Sequence, residues 1–103
     1  MKYQLVLQWS TAAMSDFDRI VTIEARIIEA LPDEDGEVDG HDVGSGEMNI
    51  FVHTGAPERA FDHIRQILAD EGVLEDVRVA YRELGGGAYN ILWPIGLKVF
   101  RVS

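Results

Sequence analysis

The residues able to do chemistry gather in one stretch, DGHDVGSGEMNIFVHT, which runs from Asp39 to Thr54. It sets Asp39, His41, Asp42, Glu47 and His53 around the tripeptide Gly44-Ser45-Gly46. Three chemistries would use such residues: calcium binding by carboxylates, transition-metal binding by imidazole with carboxylate, and anion binding by a glycine-rich loop. Each demands a geometry as well as a composition.

Asp35, Glu37, Asp39 and Gly40 match the early offsets of a helix–loop–helix calcium loop. The carboxylate that closes such a loop is replaced by Gly46, and Glu47 comes one residue late. A helix should follow, yet residues 47–54 alternate as a strand does. His41 and His53 fail as joint ligands on distance. With a turn at Ser45, His53 pairs with residue 37, and a rise of about 3.3 Å per residue sets the two histidines roughly 13 Å apart along the hairpin. The Gly-Ser-Gly loop lacks the lysine of a phosphate loop, sits among acids, and leads into a strand instead of a helix N-terminus.

Nucleophilic catalysis finds no support either. The chain has no cysteine, so thiol nucleophiles, thiolate metal sites and disulfides are excluded. It has no Gly-x-Ser-x-Gly elbow. His63 falls on the exposed side of a helix, beside an apolar stripe. The sequence therefore names no catalytic residue, no metal ligand set and no cofactor.

The elements that position these residues follow from periodicity. Tyr3, Leu5, Leu7 and Trp9 alternate with Gln4, Val6 and Gln8, which predicts a strand with one buried face. Ser15 before Asp16 gives a helix start. The stripe Phe17, Ile20, Val21, Ile27, Ile28 and Leu31 follows, widened by Ile23, interrupted by Glu24 and stopped by Pro32. A loop with six acids between residues 33 and 42 enters a weak strand, the turn at Gly44-Ser45-Gly46, and a strand with Met48, Ile50 and Val52 inward. Pro57 suits the first position of a second helix, with Ala60, Phe61, Ile64, Ile67 and Leu68 as its stripe and Gly72 after its end. Val77, Val79 and Tyr81 predict a further strand, and Tyr89, Ile91 and Trp93 its hairpin partner. Residues 97–102, LKVFRV, fit a last strand or a docked tail.

This order is the split βαβ of an α+β, ferredoxin-like domain spanning residues 1–103, with two helices on one face of an antiparallel sheet and an added C-terminal hairpin strand. The first and third strands belong in the centre, with the fourth beside the first and the second beside the third. The stretches VDGHDVGSGEMNIF and PERAF also resemble small bacterial proteins of unassigned function. That resemblance implies a ferredoxin-like fold and supplies no activity, cofactor or catalytic residue.

Such a fold leaves one sheet face free of helices. On it fall Gln4 and Gln8, Asn49, Phe51 and His53, and Arg78 and Arg82, with Asn90 and Leu92 extending it. This face is the expected ligand or interface surface. It suits a homodimer, since a two-fold contact uses one patch twice, or another protein. It also suits a small anionic ligand held by Arg78 and Arg82. RNA stacking on a sheet of this kind needs basic and aromatic strand motifs that EMNIFVHT lacks.

Charge narrows the partners. The net charge is −9, from 18 acidic against 9 basic residues. Nucleic acid and anionic membrane would repel it. The expectation is a soluble cytoplasmic protein of one core, burying roughly 65 % of the unfolded chain's surface, that works as a self-associating interaction or regulatory module.

Overall fold

The computed structural model describes residues 1–13 and 17–102. The helix start expected at Ser15 and Asp16 lies outside the described residues. The elements are β1 (Tyr3–Ser10), α1 (Phe17–Ala30), β2 (Glu37–Gly44), β3 (Glu47–Thr54), α2 (Pro57–Asp70), β4 (Arg78–Glu83) and β5 (Gly86–Trp93). They form one antiparallel sheet in the order β2-β3-β1-β4-β5. This is the α+β, ferredoxin-like arrangement, with β2 and β5 at the two edges.

Register fixes the two faces. Leu5, Leu7 and Trp9 stand opposite Val52, Ile50 and Met48 on one side, and Leu5 and Leu7 opposite Tyr81 and Val79 on the other. All of these but Tyr81 are buried against Ile20, Ile23, Ile27 and Leu31 of the α1 side and Ala60, Phe61, Ile64, Ile67 and Leu68 of α2. Trp9 has no exposed surface, and its indole N–H donates to the Val73 carbonyl at 3.0 Å. A buried tryptophan needs such a partner for its one donor. Pro57 opens α2, and Val73 N–H bonds the Leu68 carbonyl at 3.0 Å as the chain leaves its last turn.

The sequence places the α1 stripe too broadly. Ile20, Ile23 and Ile27 are buried, whereas Phe17, Val21 and Ile28 are exposed. Residues 20, 23, 27 and 31 make one row at helical spacing, and 17, 21, 24 and 28 make the next. Glu24 in the second row was the signal that this row does not face the core.

The last hairpin also differs from expectation. Irregularities interrupt the pairing of β4 with β5 between Val79 and Ala80 and between Tyr81 and Glu83. A bulge of this kind puts an extra residue in one strand and shifts its side-chain alternation. Ile91 therefore stands opposite Ala80 on the helix-free face, while Leu92 and Trp93 both pack towards the core. Asn90 stands opposite Tyr81, so neither Asn90 nor Leu92 extends the helix-free face. Residues 97–102 are not a strand. They dock as a tail: the Phe100 ring meets Tyr89 edge-on at 4.9 Å, and the Arg101 carbonyl accepts from Gln8 at 3.0 Å.

Candidate functional site

The register brings the expected face together in rows. Gln4 lies between His53 and Arg82, and Gln8 lies between Asn49 and Arg78. Phe51 stands opposite Val6 on one side and Gly40 on the other. All seven proposed residues therefore share a surface, but it is not open throughout. The side-chain amide of Gln8 donates to Asn49 Oδ1 at 3.1 Å as well as to Arg101, and both Gln8 and Asn49 are only 1 % exposed. Val6 and Ala80, on the same face, have no exposed surface. The C-terminal tail thus supplies part of the cover that the sequence reading left to a partner or ligand.

Two further polar groups of this face are engaged with their own chain. The Arg82 guanidinium sits over the Tyr89 ring at 4.8 Å, a cation–π contact. His53 Nε2 lies 3.3 Å from Asp39 Oδ2. Gln4, Phe51 and His53 stay half-buried at the end of the face away from Gln8.

The hairpin that opened the sequence question is a two-residue turn at Ser45 and Gly46, both with positive φ, 53° and 79°. That combination is the hairpin turn matched to strand twist. His53 pairs with Glu37 because the irregularity between Val38 and Gly40 shifts by one residue a register that the two-residue turn alone would carry to Val38, and His41 pairs with Ile50. His41 therefore points to the helix side, where its Nδ1 lies 3.0 Å from Glu24 Oε2, while His53 lies on the opposite face. Among the described residues no three His, Asp or Glu side chains converge as a metal ligand set.

A second cluster joins the loop before β2 to α2. Asp35 is 5 % exposed. Its carboxylate accepts from Arg59 Nε at 2.5 Å and lies 3.0 Å from His63 Nε2, while its carbonyl accepts from Thr54 Oγ1 at 2.6 Å. The carboxylate fixes one nitrogen of a half-exposed imidazole, and the one hydroxyl of the cluster, that of Thr54, is buried and committed to the Asp35 backbone carbonyl. The cluster clamps the loop in place.

The charge distribution places a different site in view. Residues 27–58 hold nine of the eighteen acidic residues and no lysine or arginine; the rest of the chain balances nine against nine. The whole net charge therefore belongs to the end of α1, the β2–β3 hairpin and the entry to α2. Within that segment β2 is the free edge of the sheet.

The two sides of β2 carry different chemistry. Val43, His41 and Val38 pair with Met48, Ile50 and Val52 and so point to the helix side. Glu37 and Asp42 pair with His53 and Asn49 and point to the other side, which Asp39 joins through His53. Above the helix side runs the second row of α1. Phe17 is 47 % exposed, Val21 40 % and Ile28 60 %, beside Val43 at 41 %. The His41 ring ties this row to the strand, meeting the Phe17 ring at 5.6 Å and the Glu24 carboxylate. A cleft of about 180 Å³ opens between the end of α1 and the start of β2, lined by Ile28, Leu31, Gly36 and Val38 with the exposed Asp33 and Glu37. The sequence reading missed this site because it counted Phe17, Val21 and Ile28 as core.

No helix is long and apolar enough to cross a membrane among the described residues. No family model, curated protein or solved structure matches the chain.

Proposed function

We propose that the protein is a non-catalytic protein-interaction module whose β2 edge caps a basic protein. The single observation that carries this reading is the confinement of the whole net charge to residues 27–58, around a free sheet edge. Charge gathered on one flank steers a positively charged partner and fixes its orientation. The exposed row Phe17, Val21, Ile28 and Val43 beside the acids supplies apolar area of the sort found at the centre of interfaces. An inhibitor or immunity-like protein that covers a basic enzyme has this design.

Affinity purification compares the wild type with a Glu37→Lys, Asp39→Lys, Asp42→Lys variant. The wild type should retain a basic protein that raised salt releases, and the variant should lose it. Retention of the same protein by both forms, or partners without an excess of lysine and arginine, would overturn the reading.

Self-association is a second reading, favoured by the exposed Val99 on the tail that docks on the sheet face and by Ile95 before it. A two-fold contact there would bury both tails at once. Light scattering at high concentration decides it: a monomer removes this reading and leaves the first untouched.

A further inference from the structure

We infer that the β2 edge receives its partner by strand addition, and that the partner segment is an extended stretch alternating basic with apolar residues. This rests on the capping role proposed above and specifies its geometry. The occupant follows from three features of the edge.

The first is backbone. The two-residue turn pairs Gly44 with Glu47. In such a hairpin the pair that closes the turn exchanges both its hydrogen bonds, and bonded and non-bonded pairs then alternate. Asp42 with Asn49 is therefore a bonded pair, and Val43 with Met48 and His41 with Ile50 are not. The backbone N–H and C=O groups of His41 and Val43 point away from β3, to the side on which no strand lies among the described residues. They offer an extended segment two donors and two acceptors at strand spacing.

The second feature is the division of side chains. An added strand alternates its side chains between the two faces. Those on the helix side would meet Val43 and the exposed row Phe17, Val21 and Ile28, with the cleft at Ile28 and Val38 to take one of them. Those on the other side would run beside Glu37, Asp39 and Asp42. Alternation of apolar with lysine or arginine satisfies both rows.

The third is the exclusion of a second copy. Pairing β2 with β2 of another molecule would set the acidic row of one copy beside the acidic row of the other on the same face. Like charges on neighbouring strands destabilise the pair. Edge strands are protected from self-pairing by charge of this sort, and the protection fails against a partner of opposite sign.

The test uses the full chain and a short blocked peptide alternating lysine or arginine with valine. A second peptide of the same composition groups its charges at one end. Binding is followed by fluorescence anisotropy, and amide hydrogen exchange is read residue by residue. The alternating peptide should bind at least about tenfold tighter than the grouped one, and should slow exchange at the His41 and Val43 amides. Val43→Pro removes an outward donor without removing a β2–β3 hydrogen bond, and should abolish binding. Proline also constrains the strand backbone, so Asp42→Lys is measured beside it, which keeps the backbone and should weaken the alternating peptide at least about tenfold. Equal binding of the two peptides, or binding that leaves both amides unprotected, would overturn strand addition. Salt-releasable capture of a basic protein by the acidic flank would survive that result, so the two readings fail separately.

Discussion

The side-chain amide of Gln8 donates to the carbonyl oxygen of Arg101 across 93 positions of sequence, at 3.0 Å. This bond ties the end of the chain to the middle of the sheet, on the face that carries no helix. Gln8 also donates to Asn49, and both side chains are buried by the arrangement. Part of a surface that the strand pattern leaves open is therefore covered from within.

Two substitutions measure that cover. Gln8→Ala leaves the Asn49 side-chain oxygen buried without its donor, which should cost about 2 kcal/mol. Replacing Gln8 and Asn49 together by leucine removes both polar groups and should cost less than Gln8→Ala alone. Urea denaturation gives both values, and a Gln8→Ala protein as stable as the wild type would mean that the bond contributes nothing.

Ending the chain after Gly96 removes the Phe100 ring from Tyr89 and the Arg101 carbonyl from the Gln8 amide. An aromatic pair and a hydrogen bond each contribute about 0.5–1.5 kcal/mol, so the shortened chain should unfold at lower urea. Its Gln8 side-chain amide, followed by nuclear magnetic resonance, should exchange faster with solvent. Unchanged stability with unchanged exchange would show that the tail does not cover this face in solution.

The Asp35 clamp has an asymmetry that mutation exposes. Arg59 is largely solvated and His63 half-exposed, while the carboxylate between them is buried. Arg59→Ala with His63→Ala strands the carboxylate, and should cost about 2 kcal/mol or more. Asp35→Asn frees both partners into water and keeps the shape of the side chain, so it should cost less. Equal losses measured by urea denaturation would place the cost in the loop itself and not in the charge pairing.

The elements and their order were legible because alternation and helical spacing survive in a single sequence. Trp9, Ile50 and Val79 read as inward, and they are. The pairing of Glu37 with His53 matches a turn centred on Ser45, but through two offsets that cancel: the turn takes in Gly46 as well, and the irregularity at Asp39 shifts the register back. The faces of β5 were not legible. The irregularities beside Ala80 and Glu83 reverse the alternation there, and no residue type announces them. The contact of Gln8 with Arg101 depends on a fold-wide meeting that local pattern does not encode. The exposed row of α1 was half-legible: Glu24 marked it, but three apolar residues around that position outweighed the mark. The acidic edge needed both levels, since composition supplies the charge and topology makes β2 the outer strand.

Gly36 is held by close approach. A Cβ there would lie 2.8 Å from the His53 carbonyl oxygen and 3.2 Å from Leu31 Cδ2. The first neighbour is backbone of a paired strand, which cannot rotate away. Gly36→Ala should therefore cost about 1–3 kcal/mol, visible as a lower melting temperature. It should also weaken the alternating peptide, because the cleft at Ile28 and Val38 has Gly36 in its wall. A stable Gly36→Ala protein would mean that the loop before β2 shifts freely.

Ser45 holds a positive φ of 53° that its side chain does nothing to favour. Asparagine tolerates this region better, and asparagine followed by glycine is the preferred pair for the turn. Ser45→Asn should therefore stabilise the protein by about 0.5 kcal/mol, the smaller end of what turn and cap improvements give. The added side chain stands at the hairpin tip, away from the sheet face and from the α1 row. Affinity for the alternating peptide should then stay within error while the melting temperature rises. A fall in stability would show that the turn in solution does not hold the conformation on which the outward direction of the His41 and Val43 backbone groups depends.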